Sequence, residues 1–307
     1  MNATLEAKTD RVRRHTAEAT VNQIDAVTRR NVTEHGSRPA EIGRRVSELE
    51  KEWDMERTLE ANASILALTG AALGTWVSKK WFFLTGTVLG FLFQHATTGW
   101  CPPVPVFRKL GVRTQNEIDQ ERFALKALRG EFYDGAARPD IDAALQAVSQ
   151  VETLSEGGRE PDRVRRYTSK NQRQRIDESM ARRVRLYAQQ SREVISERII
   201  ELRREWSIER YLQINVAAVG LSTAALAVTK NRNWGIATCA GLAFFLFHAT
   251  EGFDPPMPAL RRMGVRSRAE INREIYALKI LRGDFDQAQS GNNQEQRVAT
   301  ALAAVGL

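Results

Sequence analysis

The sequence FQHATTGWCPPVPVFRKLGVRT occupies residues 93–114, and FHATEGFDPPMPALRRMGVRS occupies residues 247–267. Both stretches keep a histidine, a Pro-Pro pair and a Gly-Val-Arg sequence, and matching residues lie 153 positions apart. The same offset holds outside these stretches for Ile42 with Ile195, Val46 with Ile199, Leu49 with Leu202, Trp53 with Trp206, and Glu56-Arg57 with Glu209-Arg210. So many matches at one offset predict a tandem repeat of one structural unit.

Each copy contains two apolar runs without Asp, Glu, Lys or Arg, at 61–78 and 81–98 and then at 214–229 and 234–250. A membrane-spanning helix needs about 20 apolar residues, with a range of roughly 17–25. The runs lie at the lower edge of that range. We therefore expect two transmembrane helical hairpins, at 61–98 and 212–250.

Three features favour lipid around these hairpins. Aromatic residues lie near the segment ends, as in an interfacial belt; they are Trp76, Trp81, Trp100, Tyr211, Trp234 and Phe253. Gly70 and Gly74, and Gly86 and Gly90, have the GxxxG spacing that lets membrane helices approach closely, so we expect them to pack the hairpin. The sequence that flanks the first hairpin contains more basic residues than its tip, which has only Lys79 and Lys80. This distribution predicts that the flanks and both termini are cytoplasmic.

Two alternatives to a spanning hairpin stay open. One is a soluble helical bundle with an unusually apolar core. The other is a monotopic hairpin that enters one leaflet, although charged tips at the bilayer centre would be costly.

The predicted fold class is all-α, an integral membrane protein in which each copy has a long amphipathic helix, a hairpin and a capped helix. Apolar residues spaced three and four apart predict the long helix, which in the first copy is interrupted at GSRP (36–39). Thr114 with Glu117, and Ser267 with Glu270, have the capping-box spacing. The predicted organisation is a first repeat at 1–133 with its capped helix at 115–129, a linker at 134–162, a second repeat at 163–286 with its capped helix at 268–282, and a tail helix at 287–307.

The residues around each hairpin resemble the YgaP-like inner-membrane domain, a small bacterial two-helix domain that stands alone or is fused to a rhodanese. Thr-Gly-Trp-Cys-Pro at 98–102 and Leu-Gly-Val-Arg-Thr at 110–114 carry the resemblance. It covers about 55 residues per copy and implies residence in a bacterial inner membrane and association through the hairpin. It supplies no reaction, because Cys101 is followed by Pro-Pro-Val-Pro rather than by a rhodanese loop, and the second copy has Asp254 at that place.

The histidines are the first candidate site. We expect His95 and His248 at the cytoplasmic ends of the second spanning helices, level with Asn62 and Asn215 of the first. Such residues would form a proton relay or line a path; alternatively, each imidazole bonds helix-end carbonyls or the Pro-Pro loop. One histidine per copy, without further ligands at the right spacing, argues against a metal site.

The segment 163–185 holds nine basic residues and two acidic ones, in a chain of net charge +8. Nucleic-acid binding would require aromatic side chains for stacking, and Tyr167 is the only one there. Attraction to anionic lipid headgroups is the preferred interpretation, a solvated coiled-coil face the other. The residues predicted to face the membrane surface are Arg163, Arg165, Arg166, Arg182, Arg183 and Arg185.

No nucleotide-binding, hydrolase or metal motif occurs in the sequence, so we predict no enzyme, cofactor or small-molecule substrate. We expect Glu56-Arg57 and Glu209-Arg210 to form ion pairs at headgroup level. The expected function is that of a multi-pass structural or scaffold protein of the inner membrane that forms homo-oligomers or joins a larger membrane complex. The alternatives are a solute or ion conduit lined by the His and Asn residues, and an accessory of sulfur metabolism acting through Cys101.

Overall fold

The structure is a computed structural model that describes residues 9–132, 140–149, 162–291 and 293–307. The described part is α-helical without strands, as the fold class predicted, and has one 3₁₀ turn at Lys79–Trp81. In chain order the α-helices are α1 (Arg11–Arg14), α2 (Glu18–Gly36), α3 (Pro39–Lys51), α4 (Met55–Trp76), α5 (Phe82–Thr98), α6 (Val104–Lys109), α7 (Gln115–Arg129), α8 (Ile141–Ser149), α9 (Arg163–Arg166), α10 (Lys170–Ala188), α11 (Arg192–Arg204), α12 (Ile208–Thr229), α13 (Trp234–Glu251), α14 (Met257–Arg262), α15 (Arg268–Arg282), α16 (Asp286–Ser290) and α17 (Gln294–Val305).

Local signals in the sequence explain several helix ends. Thr114 and Glu117 form the predicted capping box of α7, with both reciprocal hydrogen bonds present. The helix ends at Gly130, whose φ of 90° lies in the left-handed region that glycine tolerates. The break at 36–39 is also confirmed, since α2 ends at Gly36 and α3 begins at Pro39.

One predicted helix differs from the structure. The long helix of the second copy is not continuous, because α10 ends at Ala188 and the Ser191 side chain caps α11 by accepting from the backbone N–H of Val194. The predicted linker contains α8, which corresponds in position to α17 at the end of the second copy. The rest of 134–162, apart from residue 140 and residue 162, lies outside the described residues.

The chain divides into two compact units that do not follow the predicted repeat boundaries. The charged unit comprises Met1–Glu52, Arg113–Glu205 and Arg268–Leu307. The hairpin unit comprises Trp53–Val112 and Trp206–Ser267. Each unit therefore draws elements from both sequence copies.

The core of the charged unit joins matching positions of the two copies. The rings of Phe123 and Tyr276, which are 153 positions apart, stack with centroids 3.8 Å apart. Phe132 meets Phe285 edge to face at 4.9 Å. Ile42, Val46 and Leu49 of the first predicted stripe are buried in the same core. Ile195, Ile199 and Leu202 of the second stripe are buried in a separate cluster with Ile271, Ile275 and Leu278. Burial of this apolar surface is the main favourable contribution to the stability of the unit.

A buried ion-pair network ties together helices of the charged unit. Glu121 is fully buried and accepts from Nε of Arg45 at 2.7 Å and from a terminal nitrogen of Arg113 at 2.5 Å. Arg113 also donates to both carboxylate oxygens of Glu52, at 2.8 and 2.5 Å. Burying a carboxylate without partners is costly, so Arg45 and Arg113 compensate the burial of Glu121.

In the hairpin unit, the helices pair across the copies. The most extensive helix contacts are those of α4 with α13 and of α5 with α12, so each first hairpin helix lies against the second helix of the other copy. Among the described residues, one helical stretch, Arg192–Thr229, which includes α12, is long and apolar enough to cross a membrane. The four predicted spans therefore stay a prediction.

Candidate functional site

Five polar side chains meet inside the hairpin unit and are called the polar cluster below. Helix α4 contributes Glu56 and Glu60, α5 contributes His95, α12 contributes Gln213 and α13 contributes His248. Four of them have no exposed surface, and the side chain of Glu56 is 22% exposed. All four hairpin helices thus supply part of the cluster.

Hydrogen bonds connect the cluster across the two copies. Nε2 of His95 lies 2.9 Å from Oε2 of Glu56. The side-chain amide of Gln213 donates to Oε2 of Glu56 at 2.7 Å and to Oε1 of Glu60 at 3.2 Å. Nε2 of His248 lies 3.9 Å from Oε2 of Glu60. The contacts form a path from the partly exposed Glu56 to the buried Glu60 and His248.

The chemistry of the cluster is that of paired acids and bases in a low-dielectric interior. A buried charge is tolerated where an opposite charge or hydrogen bonds compensate the loss of water. Each imidazole has a carboxyl beside it, so a proton carried by either ring meets an acceptor of opposite charge. The arrangement can hold protons and exchange them with the group that is partly exposed.

The helical phase selects which polar residues face inward. Glu56 and Glu60 are four residues apart and share one face of α4. The predicted partner Asn62 is only partly buried and Asn215 is exposed, because the inward face of α12 is taken by residues such as Gln213, Val216 and Ala217. The expected placement of Asn215 beside His248 in the interior is therefore wrong.

Glu60 and Gln213 were not predicted as site residues. Each lies directly before one of the apolar runs, at 61–78 and 214–229, and is therefore not part of it. The signal that identifies them is the repeated pattern Glu-Arg-x-Leu-Glu/Gln at 56–60 and 209–213. Its spacing of four places the first and last residues on one helix face.

Arg57 and Arg210 bind the ends of helices that belong to the other copy. Nε of Arg57 donates to the carbonyl of Ala249 at 2.8 Å, and Nε of Arg210 donates to that of Ala96 at 2.6 Å. Each guanidinium also lies over a tryptophan ring, with Arg57 4.0 Å from the Trp53 centroid. A cation at a helix C-terminus satisfies carbonyls left without a partner and opposes the helix dipole.

A similar exchange occurs at the hairpin tips. Nζ of Lys79 donates to the carbonyl of Val228 at 3.0 Å, and Nε of Arg232 donates to that of Gly74 at 3.3 Å. The acceptors lie near the C-terminal ends of α12 and α4. The tip cations therefore bridge the two hairpins.

Two of the four predicted packing glycines pack within the chain. A Cβ at Gly70 would come within 2.7 Å of Oγ1 of Thr85, and one at Gly74 within 2.8 Å of the Phe82 ring. At Gly86 and Gly90, a Cβ would meet nothing within 4 Å. The prediction that these two glycines pack the hairpin is wrong, since they lie on its open side.

Arg165, Arg183 and Arg185, which were predicted to face the membrane surface, bind acids of the chain. Arg165 is 7% exposed and pairs with Asp177 and Glu270 at 2.8 and 2.9 Å. Arg183 pairs with Glu274 at 2.8 Å, and Arg185 pairs with Asp142 at 2.8 Å. Burial of Arg165 excludes it from a lipid-facing surface, while Arg166 and Arg182 are exposed and Arg163 is partly exposed.

Cys101 and Asp254 occupy matching positions after the second hairpin helices. Cys101 is a buried free thiol close to the imidazole of His95. Asp254 is 6% exposed, and burial raises its pKa from 3.8 to about 7. The two copies thus differ in the chemistry of this loop.

Among the described residues, no group of three or more His, Cys, Asp or Glu side chains has the geometry of a metal site. The chain matches no protein-family model, no curated protein and no solved structure.

Proposed function

We propose that this protein is a multi-pass structural protein of a bacterial inner membrane, without a reaction of its own. The hairpin unit would span the bilayer with four helices, leaving both termini in the cytoplasm. The tandem duplication would supply both hairpins from one chain, and they would associate with each other inside the membrane.

The observation that carries the proposal is the inverted polarity of the hairpin unit. Its ionisable cluster is inside, while large apolar side chains point outward, with Phe83 81% exposed. Others at least 38% exposed include Ile65, Leu66, Phe91, Phe93, Val219, Ile236, Phe244 and Phe247. A surface of this kind is unfavourable in water and favourable in hydrocarbon.

Helix length supports the same proposal. Helices α4 and α12 have 22 residues each, which at 1.5 Å per residue gives roughly 33 Å, close to the hydrocarbon thickness. Helices α5 and α13 have 17 and 18 residues and would need flanking aromatic residues at the interface. Trp81 and Trp234 at their N-terminal ends are both 44% exposed.

Membrane insertion is tested with single-cysteine variants of a chain in which Cys101 and Cys239 are replaced by serine. A cysteine at Lys80, in the tip, should react with an impermeant maleimide from outside the cell, and one at Glu34 only after lysis. Recovery of the protein in the soluble fraction after alkaline extraction would contradict the proposal.

The scaffold role requires association with a partner. Gly86 and Gly90 leave the side of α5 open, which is where a neighbouring helix could approach closely. Extraction in mild detergent followed by native mass measurement should find homo-oligomers or a larger complex. A protein that is monomeric in detergent and unassociated in native membranes has no scaffold role.

The polar cluster favours a second candidate, a conduit for protons or small ions. Hydrogen-bonded acids and bases buried between membrane helices would provide the path. His95→Ala combined with His248→Ala should abolish flux into liposomes, whereas Asn215→Ala, at an exposed position, should not. Equal flux through the parent and the double variant would eliminate this candidate.

A further inference from the structure

Two buried polar contacts join matching positions of the copies, and in both a carboxyl of the first copy faces an amide of the second. Oε1 of Glu60 accepts from the amide of Gln213 at 3.2 Å in the hairpin unit. In the charged unit, Oδ2 of Asp119 accepts from the amide of Asn272 at 2.6 Å. All four residues are at most 2% exposed. Each pair is 153 positions apart, so each position meets its own counterpart.

The apolar contacts at matching positions do not show this difference in character. Phe123 meets Tyr276 and Phe132 meets Phe285, so aromatic residues face aromatic residues. Such contacts would form equally well between two first copies. The two polar contacts would not, because Glu60 and Asp119 would each face a second buried carboxyl.

Two carboxyls at hydrogen-bond distance cannot both be ionised without a large cost, and burial increases that cost. An amide opposite the carboxyl removes the repulsion and donates the hydrogen bond. In the charged unit, the residue three positions further on also differs between the copies: it is charged after the carboxyl and apolar after the amide. Asp119 is also paired with Arg122 at 2.9 Å, and the position matching Arg122 in the second copy is Ile275, beside the uncharged Asn272.

We infer that Glu60–Gln213 and Asp119–Asn272 make the interface of the first copy specific for a second copy, and exclude pairing of two first copies. The partner of this surface is a chain segment with amides at the two matched positions. In this protein it is the second copy. The inference does not depend on the proposed membrane function, since one of the two contacts lies in the charged unit.

Three full-length variants test it. The acid variant carries Gln213→Glu and Asn272→Asp, so both contacts become carboxyl with carboxyl. The amide variant carries Glu60→Gln and Asp119→Asn, together with Glu56→Gln because the Gln213 amide also donates to Glu56 at 2.7 Å. The exchange variant carries all five substitutions, so that in both contacts each new carboxyl faces amides only. Asn171→Asp with Gln189→Glu, at two exposed positions, controls for the added charge.

Denaturant unfolding in detergent near neutral pH measures the folded-to-unfolded ratio. We expect the acid variant to lose about 100-fold or more, as for an uncompensated buried charge. The amide variant should stay within roughly tenfold of the parent, as for a lost charge-assisted hydrogen bond. The exchange variant should recover most of the loss, and the control should match the parent.

The outcome decides the inference even if the acid variant does not fold, because the exchange variant contains the same two new carboxyls. A folded exchange variant then supports pairing specificity. An exchange variant as unstable as the acid variant overturns it, because the new carboxyls would then be intolerable whatever faces them. An acid variant as stable as the parent also overturns it.

Discussion

The guanidinium of Arg57 donates to the carbonyl oxygens of Ala249 and Thr250, each at 2.8 Å, across 192 and 193 residues of sequence. Arg210 repeats the contact with Ala96 and Thr97 at 2.6 and 3.1 Å. The first helix of each hairpin therefore caps the second helix of the other. Reciprocal capping therefore links the two copies at the C-terminal ends of α5 and α13.

Loss of one of these caps should destabilise the hairpin unit. Arg57→Ala removes two hydrogen bonds to helix-end carbonyls and a cation–π contact with Trp53, which together contribute about 2–4 kcal/mol. Arg210→Ala should cost a similar amount, because its contacts are equivalent. Thermal unfolding in detergent measures both, with Lys80→Ala at the exposed tip as the control. A loss no greater than in the control would show that the caps contribute no stability.

The four predicted packing glycines provide a matched comparison. Gly70→Ala would place a Cβ against the backbone nitrogen of Thr85 as well as its hydroxyl, so helices α4 and α5 must separate. We expect a cost of about 1–3 kcal/mol, as for an overpacked core. Gly86→Ala meets no atom within 4 Å and should be neutral or stabilising, because alanine favours helix over glycine by about 1 kcal/mol. Equal unfolding midpoints for the two variants would contradict this assignment.

Features set by nearby residues were predictable from the sequence. Thr114 and Glu117 cap α7 through contacts within one turn, and Gly130 ends it, so both lie within a few positions of the signal. The partners of Arg57 were not predictable, because they depend on how two hairpins pack 192 residues apart. Asn215 was misplaced for another reason: a polar residue in an apolar run gives no information about which face of the helix it occupies.

Arg165 shows a further limit of composition. The nine basic residues of the segment 163–185 predict a charged surface. Arg165 is nevertheless neutralised in part by Glu270, which is 105 residues away. Tertiary contacts therefore withdraw individual residues from a predicted patch. Glu60 and Gln213 were missed for a related reason, because the residues of the polar cluster come from four helices.

The ion-pair network of the charged unit should be sensitive to Glu121. Glu121→Gln removes the charge that compensates Arg45 and Arg113, and Arg113 itself is only 6% exposed. We expect a loss of about 3–5 kcal/mol, as for a broken buried pair. Urea unfolding followed by circular dichroism measures it, with the exposed Glu34→Gln as the control. A cost below about 1 kcal/mol would mean that the network contributes no more than a surface pair.

Asp254 should make stability depend on pH. Burial raises its pKa to about 7 in the folded protein, above the value of 3.8 of a solvent-exposed aspartate. The folded state therefore binds the proton more tightly, so the stabilising contribution is complete below about pH 4 and is lost as pH rises towards 7. At about 1.4 kcal/mol per pKa unit, the loss amounts to a few kcal/mol.

Asp254→Asn should remove this pH dependence, because an amide does not titrate. Relative to the parent, the variant should gain stability as pH rises from 4 to 8, and thermal unfolding across that range measures the difference. Asp254→Cys, which copies the residue at position 101, should behave in the same way below the pKa range of a thiol, roughly 8–9. A constant difference between parent and Asp254→Asn at every pH would show that this carboxyl does not change its protonation between pH 4 and 8.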